Sequence, residues 1–227
     1  MKKFFPVIHV VDVNQAISNV EIAIEADSDG IFLISHGYMD YMELLMLGKK
    51  IKSLYPSLWI GYNFLDLPIN HFFERFKDEY NLFVDAIWFD DSKRGVDKAK
   101  ADDITSLWKN SSFKGEIFGG VAFKYVKQPG SLVDAVKESM GNMSVITTSG
   151  DGTGQSARPY KIKKMFEAIS DGTPLAIASG IRIDNLKDYI EYVDYFLVST
   201  GISIDHSNLN KEKTIELSNL IHQKNMI

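Results

Sequence analysis

An α/β fold closed into an eight-stranded barrel is what this sequence predicts, and three observations carry the prediction. Short β-branched runs alternate with amphipathic stretches from end to end, so the chain is built of repeated strand–helix units. Eight such units fit in 227 residues. That is about 28 residues each, near the spacing of a compact barrel of roughly 250 residues. The predicted strands are nearly continuous hydrophobics, as expected of strands covered on both faces. An open doubly wound sheet is the alternative, because strand–helix order does not reveal closure. Against it, the first strand-to-helix turn, Val13-Asn14-Gln15, lacks the glycine-rich dinucleotide fingerprint.

The elements follow in order. Pro6 to Val11 is the first strand, and Asn14 caps a helical pattern carrying Ile17, Val20, Ile24 and Ala26. After Gly30, Ile31–Ile34 is the second strand. A helix beginning near Asp40 carries Leu44, Leu45, Leu47 and Ile51 and stops at Pro56. Leu58 to Leu65 is the third strand, with Pro68 suited to the first position of the next helix. A strand at Ala86–Phe89 and a helix from Val96 to Asn110 follow, then a strand at Glu116–Phe123 and a helix at Ser131–Met140. The closing units are Ser144–Thr147 with Tyr160–Ile169, Leu175–Ala178 with Asp184–Val193, and Tyr195–Val198 with Lys211–His222. No linker or composition shift interrupts them, so one domain spanning 1–227 is expected.

Composition excludes several chemistries. With no cysteine, thiolate metal sites, thiol catalysis and a disulfide framework are ruled out. Twenty-five Lys and Arg against 30 Asp and Glu leave a net charge of −5, which disfavours a nucleic-acid-coating surface. The N-terminal apolar stretch is broken by Pro6, His9 and Asp12, unlike a signal peptide, and no window reaches the roughly 18 apolar residues of a membrane span. A cytoplasmic protein with no membrane partner is the expectation.

Barrels bind ligands at the C-terminal ends of their strands, so the polar residues that follow each strand are the candidate site. These are Asp12, Ser35 and His36, Asn63, Asp90 and Asp91, Lys124, Thr147–Ser149, Ser179 and Gly180, and Ser199, Thr200 and Gly201. After strand six, Gly150, Gly152 and Gly154 punctuate a loop that has room for a large anion. Small and hydroxyl residues after strands seven and eight allow backbone donors to approach a phosphate. The predicted phosphate-binding set is therefore Ser179, Gly180, Ser199, Thr200, Gly201, Gly150 and Gly152. Taken alone, Ser-Gly and Ser-Thr-Gly are also ordinary tight turns.

Counter-charge is available from Lys93, Arg94, Lys124, Arg158 and Arg182, with Lys124 foremost because it ends the fifth strand. Strand alternation aims one of Asp90 and Asp91 into the mouth, where it can act as a general base or hold Mg²⁺ against a phosphate. His36 suits proton transfer, with His9 its partner if that ring projects upward. His71, His206 and His222 read as surface residues of helices or loops. Two His and two Asp match a metal set by type but lack ligand spacing, so no metal site is assigned. Asp90, His36, Lys124 and Asn63 form the predicted catalytic set. Trp59, Tyr62, Phe64, Trp88 and Phe89 offer either an aromatic shelf or core packing.

The segment Leu175–Leu186, with Tyr192–Ile202 behind it, resembles the closing half of ribulose-phosphate-binding barrels. Within that superfamily the chain is most similar to the BtpA family, named for photosystem I biogenesis. Pro6–Val10, Asp29–Gly37 and Thr148–Gly154 carry the likeness. The resemblance implies a single TIM barrel with phosphate-binding turns after strands seven and eight. In one departure, Ser199 precedes Thr200 and Gly201 where many such barrels place Val-Gly-Ser/Thr.

The leading expectation is an enzyme acting on a sugar phosphate or phosphoribosyl-type metabolite, as an isomerase, lyase or glycosyl or phosphoribosyl transferase. Its partner is a small phosphorylated ligand; a homo-oligomer is compatible with it. A non-catalytic assembly or regulatory barrel is the second reading, and it expects His36, Asp90 and Lys124 not to converge. An FMN-binding barrel is the third, since FMN phosphate would use the same turns. Among cofactors the residues choose neither Mg²⁺ nor FMN.

Overall fold

The computed structural model describes residues 1–65 and 67–223. Eight parallel strands close into one barrel in sequence order, β1 pairing with both β2 and β8. The strands are β1 (Lys3–Val10), β2 (Ile31–Ser35), β3 (Ile60–Asn63), β4 (Ala86–Phe89), β5 (Glu116–Gly120), β6 (Val145–Ser149), β7 (Leu175–Ala178) and β8 (Tyr195–Val198). The helices are α1 (Val13–Glu25), α2 (Tyr41–Leu54), α3 (Ile69–Arg75), α4 (Lys98–Asn110), α5 (Leu132–Ser139), α6 (Pro159–Ala168) and α7 (Lys211–Gln223). The expected (β/α)8 barrel is therefore what the chain forms.

Alternation along each strand divides the core in two. One set of side chains, including Phe4, Ile8, Leu33 and Tyr62, packs outward under the helices. The other fills the barrel: Phe5, Val7, Phe32, Ile34, Trp88, Phe118, Val145, Ala176 and Leu197. Phe32 and Phe118 meet with ring centroids 5.0 Å apart, and Trp59 closes on Phe5 at 4.8 Å. Burying each such ring contributes about 1.5–3 kcal/mol. Of the aromatic residues near the strand ends, Trp59, Tyr62 and Trp88 thus serve packing; Tyr62, fully buried, donates its hydroxyl to the Phe83 carbonyl.

Four expectations are corrected. The cap of α1 is Asp12 and not Asn14, its carboxylate accepting from the Asn14 and Gln15 amides. In α1 Ile24 is 40% exposed, and the buried stripe is Ala16, Asn19, Val20 and Ala23. Strand β5 ends at Gly120, because Ala122 takes a left-handed φ of 49° and turns the chain. Lys124 therefore sits in a loop, not at a strand terminus. Finally, among the described residues no α-helix lies between β7 and β8. Leu186, Tyr189, Ile190 and Val193 are buried at helical spacing, but hydrogen bonds spanning three and four residues alternate there around a 3₁₀ turn at Leu186–Asp188.

Candidate functional site

The inward parity that puts Phe5, Phe32 and Trp88 inside the barrel carries on to its C-terminal rim. Two residues beyond Val7, Ile34 and Trp88 on the same face stand His9, His36 and Asp90. The aromatic plug lies below, so the rim is where the barrel turns polar.

Asp90 is part-buried, and buried Asn63 donates to it through Nδ2 at 3.1 Å. Burial pushes the Asp90 carboxyl up and Asp91 adds to this; the Asn63 hydrogen bond and the Lys124 charge oppose it. Asp91 turns away to pair with Lys93. Alternation thus sends the neighbouring acids to different partners, Asp90 to Asn63 and Asp91 to Lys93.

Lys124 reaches across the rim. Its Nζ donates to Ser179 Oγ at 2.9 Å and to Thr153 Oγ1 at 3.4 Å, while its backbone amide donates to Ser149 Oγ at 2.8 Å. Burial lowers the Lys124 ammonium, against the pull of Asp90 and Tyr125. The acid and the amine are thereby drawn toward each other in proton affinity, an arrangement that favours proton transfer. The other candidate cations are committed elsewhere or lie outside. Buried Arg94 bonds Asp102, the Ala101 carbonyl and Thr105; Arg182 pairs with Asp184 at 3.1 Å; Arg158 is exposed ahead of α6.

The loops after β6, β7 and β8 interlock at their glycines. A Cβ on Gly180 would stand 2.2 Å from the Ser156 amide nitrogen, one on Gly150 2.3 Å from the Gln155 carbonyl, and one on Gly201 1.8 Å from the Ile181 carbonyl. These glycines permit backbone to touch backbone, uniting the turns that bear Ser179, Ser199 and Thr200. Gly152 is buried in the same loop and its carbonyl accepts from the Gln155 amide. Ala122, Tyr125 and Ser179, none of them glycine, hold φ of 49°, 61° and 73°. Such strained positions collect at functional rims, where the surroundings over-determine them.

Two rim residues were not anticipated. Lys161 on α6 buries its ammonium under the rim, donating to the Ala122 and Ser149 carbonyls at 2.5 and 2.7 Å. Helical periodicity places it on a mixed face and gives no hint of that role. His206, expected as a bland loop residue, is exposed but packs edge-on over the mouth. Its ring centroid is 4.6 Å from that of His9 and 5.3 Å from that of His36, and those two stand 4.8 Å apart. Burial, then the charges of His36, His206 and Lys124, hold the His9 imidazole down at about 3, so it is neutral at pH 7.

A cleft of about 800 Å³ adjoins Asn63 and Asp90 on the α3–α4 side, lined by Phe64, Leu67, Phe89 and Leu107 among others. Its lining comes from the loops after β3 and β4 and from α3 and α4. Asn63 and Asp90 therefore border both the barrel mouth and this side cleft.

No protein-family model matches the chain. An uncharacterised protein of Thermococcus kodakarensis is 26% identical over 142 residues, covering 59% of this chain and 53% of that protein. The chain thus spans about half the length of the curated relative it matches. Solved structures of similar shape include orotidine 5'-monophosphate decarboxylase of Methanocaldococcus jannaschii in complex with an inhibitor, with a TM-score of 0.67, 15% identity and coverage of 97% of this chain and 99% of that one. Orotidine 5'-phosphate decarboxylase of Pyrococcus horikoshii gives 0.68 at 14% identity, covering 96% and 99%. The 3-hexulose-6-phosphate synthase of Salmonella typhimurium gives 0.68 at 16%, covering 97% and 99%. At these identities the likeness is one of fold.

Proposed function

We propose that the protein is an enzyme acting on a small phosphorylated metabolite at the C-terminal mouth of the barrel. The observation that carries this is the reach of Lys124 Nζ to Ser179 Oγ, which sets a part-buried ammonium on the turn after β7. The glycine-packed turns at Ser179-Gly180 and Ser199-Thr200-Gly201, with the Gly150–Gly154 loop, are the phosphate cradle in this proposal. Asp90, His36, Asn63 and Lys124 are its reacting groups. Decarboxylase and synthase neighbours named for phosphorylated compounds support the substrate class, and isomerase, lyase and transfer chemistry all suit an acid, an amine and imidazoles around one mouth.

Two pairings support catalysis over a purely assembling or regulatory barrel, Asn63 with Asp90 and Lys124 with Ser179. His9 lies within electrostatic reach of both His36 and Lys124, and Lys124 of Asp90. The narrower BtpA likeness rests on the sequence blocks at Pro6–Val10, Asp29–Gly37 and Thr148–Gly154. The proposal also includes a cytosolic location and a single domain over 1–227. Among the described residues no helix is long and apolar enough to cross a membrane.

Titration calorimetry with inorganic phosphate and with ribose and hexose phosphates tests the proposal. Saturable binding of at least one ester, weakened in Lys124→Gln, is expected. Absence of binding at millimolar ester, or equal binding by the variant, overturns it.

A further inference from the structure

The rim between β1, β2 and the loop before α7 holds a group of side chains that the proposed function leaves unused as a set. His9 is the inward residue near the end of β1, and His36 directly follows Ser35 at the end of β2. The two strands are hydrogen-bonded neighbours, with His9 opposite Ile34, so both imidazoles rise from one edge of the mouth. His206 comes down on them from the loop between β8 and α7. One ligand nitrogen from each ring can be chosen so that all three lie within 4.8 Å of one another. His9 Nδ1 and His206 Nε2 are already 3.3 Å apart. Around a tetrahedral ion with nitrogen bonds of 2.0–2.1 Å, ligand nitrogens are separated by about 3.3 Å. One edge of that triangle is in place, and small side-chain rotations of the exposed His36 and His206 close the others.

The loop that carries His206 is built to hold it there. Asp205 accepts from the Ser207 and Asn208 amides at 2.9 and 2.8 Å, and Ile204 donates to the Asn208 carbonyl at 2.8 Å. A β-bridge joins Ser203 to Leu209 across its base. From α1, Gln15 Nε2 donates both to the His9 carbonyl at 3.1 Å and to the Ser207 carbonyl at 2.5 Å, and Asn19 Nδ2 donates to the same Ser207 carbonyl at 2.6 Å. One amide side chain thus ties the backbone of the first histidine to the residue after the third. These contacts fix the backbone of the loop, and with it the position of His206, against the end of β1.

We propose that His9, His36 and His206 bind a divalent transition-metal ion at the barrel mouth, each through one imidazole nitrogen. Three neutral nitrogen ligands suit Zn²⁺, Co²⁺ or Ni²⁺ and disfavour Mg²⁺ and Ca²⁺, which take oxygen. Three protein ligands leave a coordination position for water or a substrate oxygen, the pattern of catalytic rather than structural zinc. The site borders Lys124 and so adjoins the proposed phosphate turns, where an ion would polarise a substrate oxygen. This inference goes beyond the phosphorylated-metabolite reading and stands without it, because ion binding requires only the three imidazoles.

The test uses the untagged full chain, stripped with a chelator and titrated with Co²⁺ while its visible d–d absorption is followed. Zn²⁺ and Mg²⁺ are then added as competitors. One equivalent of Co²⁺ is expected, with bands of imidazole coordination, displaced by Zn²⁺ and not by millimolar Mg²⁺. His36→Asn and His206→Asn are expected to weaken binding by more than the roughly 10–100-fold that loss of an outer-layer partner costs. Both residues are exposed, so unchanged metal-free thermal unfolding verifies the fold of each variant. Failure of Co²⁺ to bind at one equivalent overturns the proposal. So does affinity left intact in the His36→Asn/His206→Asn double variant, which would show that the two histidines meet His9 only through ring contacts.

Discussion

Lys124 donates through Nζ to Ser179 Oγ at 2.9 Å, joining the loop after β5 to the turn after β7. The two residues are 55 positions apart in the chain. The contact spans the edge of the mouth and crosses over β6, whose Ser149 accepts from the Lys124 amide. Replacing the ammonium by a neutral amide removes a charged donor worth about 1.5–3 kcal/mol when it meets an anion. Lys124→Gln is therefore expected to weaken phosphate-ester binding by about 10–100-fold, read by titration calorimetry.

Gly180 holds a φ of 72°, and a Cβ there would meet the Ser156 amide nitrogen at 2.2 Å. Gly180→Ala therefore combines backbone strain with a backbone clash, and about 2–4 kcal/mol of stability should be lost. Thermal unfolding should fall by roughly 2–4 °C for each kcal/mol. A variant as stable as the parent would mean that the loops after β6 and β7 do not touch.

The raised proton affinity of Asp90 fixes the sign of a pH effect. The folded protein holds that proton more tightly than the unfolded chain, whose carboxyl titrates at 3.8. Stability therefore falls as pH rises from that value through the folded pKa, and the penalty is complete above it. Asp90→Asn keeps a hydrogen-bonding partner for Asn63 while removing the charge. It is expected to unfold at higher temperature than the parent at pH 7, to lose that acid-side slope, and to lose turnover of any phosphorylated substrate.

Lys161 works in the opposite direction. Burial lowers its ammonium from 10.5 to about 8, so between those values the unfolded chain binds the extra proton. Its contribution to stability should rise as pH increases from about 8 to 10.5. The neutral amine still donates to the Ala122 and Ser149 carbonyls. Lys161→Met strands both acceptors and is expected to cost about 1–3 kcal/mol. Denaturant unfolding of the two proteins at pH 7 and pH 10 should show the gap widening at the higher pH.

Gln15 ties the His9 carbonyl to the Ser207 carbonyl. Gln15→Leu cuts that tie without touching an imidazole, and Co²⁺ affinity should drop by about 10–100-fold with the one-equivalent stoichiometry kept. An unchanged affinity would show that the loop needs no clamp.

Much of the fold was legible because strands buried on both faces write themselves as apolar runs. Ala86–Phe89, Leu175–Ala178 and Tyr195–Val198 are found where their hydrophobicity puts them. The same signal overran β5, since Val121, Ala122 and Phe123 are buried without being strand. Hydrophobicity reports burial, and Phe123 fills the barrel from a loop. It also mistook the Leu186–Val193 stretch for an α-helix, because buried side chains recur at helical spacing around a tighter turn.

By itself the sequence determined the strand–helix order, the parity that sends only one of Asp90 and Asp91 inward, and the rim on which polar residues gather. These are local properties, set by period and by the side to which each Cβ points. Tertiary structure alone decided which rim residues meet. His9 and His206 are separated by 197 positions, and closure of β8 onto β1 brings them together. Lys124 reaches Ser179 because Ala122 bends the chain over the mouth. Contacts of that range depend on how the barrel closes and how its loops fold over the rim, which neighbouring residues in the chain do not encode.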